Sequence, residues 1–230
     1  MKKSIILATA IASVLSSGVA TADVSANAGV FSNYIWRGVS QTNDNAAGQG
    51  GIDYNHDSGA YAGVWTSTIE NGQEVDLYLG FAGEVSSFGY DIGAVTYQYP
   101  KTSNINFTEV NASGSFSFDS VTVGAGVAYT VDAASGNSTG PFDTGDLYGH
   151  GNIDFPLGKT DVSIYGGYYS FDNDSGSNSL DYSHFGASIG KDGFALALDK
   201  NDLDDSDGVG VGSSKDNLRV TVSYSVDFEL

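Results

Sequence analysis

The sequence predicts an all-β fold, a transmembrane antiparallel up-and-down β-barrel of about 12 strands, with 10 or 14 possible. The first observation behind this prediction is the alternation of apolar and polar side chains in successive segments of about ten residues. The clearest segment, 121–131, places Val121, Val123, Ala125, Val127, Tyr129 and Val131 on one face and small or polar residues on the other. The second observation is that short and long connections alternate, which predicts short periplasmic turns and long external loops.

The strands are predicted in chain order from this alternation. A strand of about ten residues, tilted by ~45°, rises about 24 Å and matches the ~25 Å apolar band of an outer-membrane barrel. The second, third and tenth segments are the weakest, because Gly, Ala and Ser dilute their pattern. The predicted strands are 24–36, 46–55, 60–68, 75–84, 90–99, 107–117, 121–131, 146–155, 161–171, 181–189, 194–200 and 216–230.

The connections between these segments differ in length and chemistry. The short ones carry turn-forming residues and are 56–59, 86–89, 118–120, 156–159 and 190–193. The longer polar ones are 37–45, 69–74, 100–106, 132–145, 172–180 and 201–215. A Greek-key sandwich gives no reason for this alternation, whereas an even-stranded barrel with both termini in the periplasm does.

The N-terminal residues 1–22 have the pattern of a secretory signal peptide. Lys2 and Lys3 precede an apolar run, and Ala20-Thr21-Ala22 offers a cleavage site, so residues 23–230 are predicted as the barrel domain. The chain has no Cys, which excludes disulfides and Cys-based metal sites. The net charge of −19 argues against a nucleic-acid partner.

A soluble barrel or sandwich with its apolar face turned inward would show the same alternation. Two details favour the membrane: the other face is Gly, Ser, Thr, Asn and Asp, which suits a wet lumen, and aromatic residues cluster at strand ends. We interpret these aromatics as interfacial girdles. They are Tyr34 and Trp36, Tyr61 and Trp65, Tyr97 and Tyr99, and Tyr168 and Tyr169.

Residues 32–42, Ser-Asn-Tyr-Ile-Trp-Arg-Gly-Val-Ser-Gln-Thr, resemble the opening signature of the TorF-type porin family, also called Gcw_chp, bacterial outer-membrane proteins of unknown function. The segments 49–54, 61–65 and 76–84 also resemble that family. The resemblance implies an outer-membrane barrel and a pore, but it brings no substrate and no catalytic residues. The C-terminal strand resembles a barrel sorting signal, although it ends in Leu230 rather than an aromatic residue.

If the apolar faces contact lipid, charged residues fall on the inner face. We expect a net-negative lumen that favours cations, with Arg37 forming a charged constriction near the external end, because carboxylates can replace lost hydration of a cation. The alternative is that each acid only pairs with lumen hydroxyls and arginines. The residues concerned are Arg37, Asp53, Asp76, Glu84, Asp91, Glu109, Asp154, Asp161 and Arg219.

Apparent catalytic motifs are weak. Residues 136–140 and 186–190 match G-x-S-x-G, but neither precedes a helical pattern, which a nucleophile elbow requires. His56, His150 and His184 are too dispersed for a metal site, and 202–208 lacks the spacing of an EF-hand, leaving weak surface capture of divalent ions open. No enzyme activity, metal or cofactor is predicted.

The function predicted is that of a porin-like protein of the cell outer membrane, a passive narrow pore for ions or small solutes. The alternative is a closed structural or surface-binding barrel that acts through its external loops, and an outer-membrane hydrolase is a third class. The expected partners are outer-membrane lipids, lipopolysaccharide, the barrel assembly machinery and small solutes or cations. Oligomeric state, and whether loop 132–145 or 201–215 folds inward, stay open.

Overall fold

A computed structural model describes residues 23–134, 142–172, 180–204 and 217–230, so the predicted signal peptide lies outside it. The barrel strands are β1 Asp23–Phe31, β4 Ala47–Asn55, β5 Ala60–Ile69, β6 Gly72–Val85, β7 Phe88–Gln98, β8 Phe107–Phe118, β9 Val121–Ala133, β10 Leu147–Leu157, β11 Thr160–Ser170, β12 Tyr182–Lys191, β13 Phe194–Asn201 and β14 Arg219–Glu229. A separate hairpin is formed by β2 Ile35–Trp36 and β3 Val39–Ser40. The twelve antiparallel barrel strands close in the order β1-β14-β13-β12-β11-β10-β9-β8-β7-β6-β5-β4. The predicted fold class is confirmed.

The barrel exposes its apolar face to the outside. On β6, Leu77, Leu79 and Phe81 are 51%, 63% and 44% exposed, whereas Asp76 is only 3% exposed. Successive side chains of a strand point to opposite faces, so this alternation places hydrocarbon outside and polar groups inside. A closed sheet leaves no unpaired edge in lipid, and this is the architecture of an outer-membrane β-barrel. Within the described ranges, no helix has both the length and the apolar character needed to cross a membrane.

Short turns join the strands at the end of the barrel that carries Asp23 and Glu229, the predicted periplasmic side. Asp119 and Asp192 take positive φ in two of these turns, at 54° and 53°. The opposite end carries the longer connections with one exception. Residues 69–74, predicted as a long loop, form a tight turn, because β5 continues to Ile69 and β6 already begins at Gly72. The polar run that suggested a loop is therefore mostly strand.

The predicted girdle aromatics were mostly wrong. Tyr34, Trp36, Tyr97, Tyr99 and Tyr169 are all 6% exposed or less and lie inside the barrel, and only Tyr168 of the predicted set is fully on the outside. Other aromatics cover the outer surface near the periplasmic rim, where their rings suit a membrane interface. They include Tyr54, Phe81, Phe88, Phe116, Phe118, Phe194 and Phe228.

The core of the protein lies in the lumen, in its external half. The first external connection, residues 32–46, turns back into the barrel, and residues 33–40 are all buried. The first strand was predicted to run to Trp36, but it ends at Phe31, and β2 and β3 form the inserted hairpin. Because alternation records only that one face is buried, it did not distinguish a strand against lipid from a hairpin inside the lumen.

Candidate functional site

The inserted hairpin is made by a two-residue turn. Trp36 pairs with Val39, so Arg37 and Gly38 occupy the turn, with φ of 48° and 79°. Two positive φ values match the tight turn that joins antiparallel strands with the correct twist. A Cβ on Gly38 would lie 2.3 Å from Cβ of His184, so glycine is required here for space as well as for conformation. The turn therefore delivers the Arg37 side chain into the lumen.

Hydrogen bonds close the base of the hairpin. Asn33 Oδ1 accepts from Ser40 Oγ at 2.8 Å and from Thr42 Oγ1 at 2.9 Å. Asn33 Nδ2 donates to Asp44 Oδ1 at 2.7 Å, and the same oxygen accepts from Arg219 Nε at 2.8 Å. The base is thus tied to β14 of the barrel wall. Near the tip, Asn201 Nδ2 donates to the carbonyl oxygen of Gly38 at 2.7 Å.

Arg37 and Glu109 form a buried, bidentate ion pair. Arg37 Nη1 and Nη2 donate to the two carboxylate oxygens at 2.8 and 2.6 Å, and the side chains are only 8% and 1% exposed. The guanidinium carbon lies 4.2 Å from the ring centroid of Trp36, 4.1 Å from that of Tyr148 and 4.9 Å from that of Tyr169. We call Glu109, Trp36, Tyr148 and Tyr169 the arginine cage. Its members combine charge pairing with cation–π contacts, the two interactions that best suit a guanidinium.

Aromatic packing fills the space around the cage. Trp36 makes edge contacts with Tyr97, Phe107 and Tyr169 at centroid distances of 5.7, 6.1 and 6.1 Å. Tyr97 and Phe107 stack at 4.3 Å, and Tyr169 and Phe171 stack at 4.2 Å. These rings come from the external ends of several strands, so the hairpin is held as a plug by the wall. The external half of the lumen is consequently filled by aromatic rings, with the ion pair and a few hydrogen-bonded polar side chains among them.

The periplasmic half of the lumen repeats one arrangement, a tyrosine lying across a glycine to reach a carboxylate. Tyr78 faces Gly63, which faces Asp53, and the tyrosine hydroxyl donates to the Asp53 carboxylate. A Cβ on Gly63 would lie 2.4 Å from Cζ of Tyr78, so glycine lets the ring lie against the wall. Because the ring lies along the wall, the centre of the barrel is left to polar groups.

The same arrangement recurs on the other side of the barrel. Tyr165 faces Gly186, which faces Asp199, and the Tyr165 hydroxyl donates to Asp199 Oδ1 at 2.8 Å. Tyr61 lies over Gly80 and donates to Asp91 Oδ1 at 3.1 Å. In each case a neutral donor fixes the carboxylate at the lumen wall.

The structure places the nine predicted lumen residues as follows. Arg37 and Glu109 come together in the cage, and Arg219 pairs with Asp44 at the external rim. Asp76 and Asp91 are buried on the inner face at 3% and 6% exposure. Asp53 and Asp154 are half-buried there, whereas Glu84 and Asp161 have inward parity but are exposed at the periplasmic ends of β6 and β11.

Three carboxylates that belong to the same environment were missed. Glu74 is 2% exposed and accepts from the Tyr34 hydroxyl at 2.7 Å. Asp199 is 3% exposed, and Asp44 holds the base of the hairpin. Strand parity could have found two of them, since Glu74 shares the parity of Asp76, and Asp199 alternates with the outward residues of β13.

Asp146 joins two external loops. Its carboxylate accepts from the backbone N–H of Asp143 at 2.8 Å and of Asp172 at 2.9 Å, and its side chain is fully buried. Burial raises the pKa of the Asp146 carboxyl to about 6, and the nearby Asp143 and Asp172 carboxylates act in the same direction. The two backbone hydrogen bonds oppose this increase in part. The contact between the loops is therefore sensitive to mildly acid pH.

The described residues offer polar recognition rather than covalent chemistry. His184 Nε2 and the Tyr148 hydroxyl lie 2.8 Å apart, which positions the Tyr148 ring of the cage. Ser188 of the second G-x-S-x-G match lies inside strand β12, and the first match lies outside the described residues. Among residues 23–134, 142–172, 180–204 and 217–230, no three His, Asp or Glu side chains are grouped to hold a metal ion.

Comparisons with known proteins identify a matching family and similar solved structures. The model of the Gcw_chp family, described as a bacterial protein of unknown function, matches residues 16–225. A comparison with curated proteins finds no match. The NanC porin structure in a rhombohedral crystal form is similar, with 14% identity and a TM-score of 0.55 over 89% of this chain and 97% of that one.

Two structures of the KdgM porin are also similar. The first has 9% identity and a TM-score of 0.58 over 90% of this chain and 99% of that one. The second, in complex with disordered oligogalacturonate, has 8% identity and a TM-score of 0.56 over the same shares. At these identities the likeness concerns the porin-like fold.

Proposed function

The chain belongs to the Gcw_chp family, and we propose that it forms a narrow, passive outer-membrane pore that favours small cations. The observation that supports the proposal is the excess of inward carboxylates over inward arginines among the described residues. Arg37 pairs with Glu109, and Arg219 pairs with Asp44 and also faces Asp199 across the β13–β14 ladder. The other inward carboxylates are Asp53, Glu74, Asp76, Asp91 and Asp154, with Glu84 and Asp161 at the periplasmic end.

In this proposal a permeating ion passes along these inward carboxylates. Several are anchored by a tyrosine hydroxyl, which fixes their position without cancelling their charge. In the part of the chain that the structure describes, Asp76 Oδ1 has no hydrogen-bond partner although the residue is 3% exposed. A carboxylate oxygen in a narrow passage favours cations, because its field compensates for the hydration that the ion loses.

A negative lumen distinguishes the proposed function from the transport of acidic sugars. One similar structure is that of the KdgM porin with oligogalacturonate, a polyanion. A polyanion entering the lumen described here would meet the carboxylates of β4, β6, β7 and β13 with both arginines already paired. Like charges at close range repel, and the repulsion is strong where water is restricted. We therefore expect this pore to exclude anionic oligosaccharides.

The test is conductance of the refolded protein in a planar bilayer under a KCl gradient. We expect a reversal potential of the sign that indicates preference for K⁺. The triple substitution Asp76→Asn, Asp91→Asn and Asp199→Asn should move the reversal potential toward zero. A matched control removes the same charge from the exposed turns by Asp57→Asn, Asp119→Asn and Asp192→Asn and should leave it unchanged. Anion preference, or equal effects of both triples, would refute the proposal.

The inserted hairpin favours a second candidate, a closed barrel that acts through its external loops. Residues 33–40 are buried in the external half, which is the arrangement of a plug. A correctly folded barrel that never conducts, even when Gly38→Ala disturbs the hairpin tip, would support this candidate. Contacts with lipopolysaccharide at the external rim and recognition of β14 by the barrel assembly machinery are proposed for both candidates.

A further inference from the structure

The arginine cage consists of two parts with different origins. Arg37 and Trp36 belong to the hairpin, whereas Glu109, Tyr148 and Tyr169 belong to strands β8, β10 and β11 of the wall. The wall residues are oriented by contacts that do not involve Arg37. Tyr97 and Tyr169 donate to the Glu109 carboxylate at 3.2 and 3.5 Å. Three of the four cage residues therefore belong to the wall, and contacts within the wall help to orient them.

Tyr148 is held in the same way. Its ring stacks on His184 at a centroid distance of 5.8 Å with 10° between the planes, and its hydroxyl hydrogen-bonds Nε2 of the same histidine. His150 stacks on Tyr148 at 5.6 Å. The Tyr148 ring that covers the guanidinium is thus held by His150 of β10 and His184 of β12, in addition to its contact with Tyr169 of β11.

With the hairpin docked, the Glu109 carboxylate is 1% exposed, and a buried carboxylate without a charged partner is strongly unfavourable. If the hairpin leaves the lumen, the charge of Arg37 leaves with it. Release of the hairpin is therefore favoured when another cation takes the vacated position.

The geometry selects among cations. Two parallel N–H groups meet the two carboxylate oxygens at 2.8 and 2.6 Å, and planar faces lie over the guanidinium carbon. A planar fork with several donors satisfies both features, whereas a compact ammonium satisfies only the charge. The site is complementary to a guanidinium group in general.

We propose that Glu109, Tyr148 and Tyr169 form a binding site for solutes that carry a guanidinium group, and that Arg37 occupies this site when the hairpin is docked. Solute and hairpin then compete for one position in the lumen. The inference rests on the proposed pore and adds a substrate class to it. It also makes the hairpin a plug that its own solute displaces.

The test uses Arg37→Ala in the full barrel, with methylguanidinium and methylammonium as probes at concentrations well below denaturing ones. Trp65→Phe leaves Trp36 as the only tryptophan, so its fluorescence reports on the cage. We expect methylguanidinium to shift the Trp36 emission and raise the melting temperature with an affinity about tenfold above that of methylammonium, since 1.4 kcal/mol corresponds to a factor of ten. Adding Glu109→Gln should abolish the preference.

Arg219→Ala is the matched control, because it vacates the other arginine site, whose carboxylate Asp44 is 55% exposed. No preference for methylguanidinium is expected there. Equal affinities of the two probes in Arg37→Ala, or an equal preference in Arg219→Ala, would overturn the proposal. If Arg37→Ala does not fold, Arg37→Gln removes the charge with a longer side chain and undergoes the same test.

The second part of the test uses the wild-type pore. Methylguanidinium should raise the K⁺ conductance at concentrations where methylammonium does not, because it displaces Arg37. Binding to Arg37→Ala without any effect on the wild-type pore would overturn the solute role and leave the cage as a structural fastening. The reversal potential in KCl alone tests the cation-selective pore separately, so failure of one proposal is distinguishable from failure of the other.

Discussion

Replacing Glu109 by glutamine removes one charge from the centre of the hairpin contact and retains the shape of the side chain. The amide oxygen can still accept one hydrogen bond. The amide nitrogen, however, is a donor and faces the donors of Arg37, which now has no anionic partner in its buried position. Both partners are less than a tenth exposed, so water does not compensate the guanidinium.

The expected cost follows from this burial. Two charges about 4 Å apart attract by about 4 kcal/mol at an effective dielectric constant of about 20. Removal of one partner of a buried pair typically destabilises a protein by about 3–5 kcal/mol, because the remaining charge stays desolvated. We therefore expect Glu109→Gln either to lower the unfolding free energy by about 3–5 kcal/mol or to expel the hairpin at a similar cost. Replacing both partners by Arg37→Met and Glu109→Leu should cost less than the sum of the single changes.

The assay is urea unfolding of the barrel in lipid vesicles, followed by tryptophan fluorescence. Asp192→Asn is the control, since it breaks the ion pair of Lys191 and Asp192, whose side chains are 49% and 82% exposed and lie in a short turn away from the hairpin. An exposed pair contributes only about 0–1 kcal/mol. Equal losses in Glu109→Gln and Asp192→Asn, or strict additivity of the double replacement, would refute the view that a desolvated ion pair holds the hairpin.

Three further predictions concern other parts of the barrel. Gly63→Ala should lower the unfolding free energy by about 1–3 kcal/mol, because its Cβ would displace the ring of Tyr78, whereas Gly48→Ala, with open space around its Cβ, should be neutral or stabilising in the same unfolding assay. Gly38→Ala should push the hairpin tip away from His184, increase conductance and shift Trp36 fluorescence to longer wavelength. Unchanged conductance with a shifted spectrum would contradict the open pore and favour the closed barrel. The raised pKa of Asp146 means that the folded state binds its proton more tightly than the unfolded state, so this contribution to stability is complete below the ordinary carboxyl pKa and is lost as pH rises through about 6. The melting temperature of the wild type should therefore decline as the pH rises from the ordinary carboxyl pKa to about 6, and that of Asp146→Asn should decline less.

Strand parity predicted the barrel and the inner face because a bilayer enforces both. An apolar side chain at Leu77 or Leu79 must face lipid, so Asp76 must face the lumen. The same rule would have placed Tyr97 inside, since it shares parity with Asp91. Its assignment to a girdle relied on position near a strand end, and position along a strand does not specify the face.

The hairpin was not predictable from parity alone. Residues 33–40 pack against an aromatic lumen that exists only once twelve strands have closed. Local signals were present in the sequence: a glycine at position 38 for the turn, and Asn33 with Ser40 and Thr42 to close its base. They specify a hairpin but not its destination. The destination depends on Glu109, which lies 72 residues away along the chain.

The segment that resembles the family signature, residues 32–42, is the segment that fills the lumen. Its residues have separate tasks: Asn33 and Thr42 close the base, Gly38 makes room beside His184, and Arg37 reaches Glu109. The last two tasks depend on a partner in the wall, His184 for Gly38 and Glu109 for Arg37. A family member with the same segment should therefore also carry a carboxylate at the position of Glu109. Exchanging the two charges, Arg37→Glu with Glu109→Arg, should restore docking better than either change alone, and equal loss in all three variants would show that the aromatic faces, rather than the charges, hold the plug.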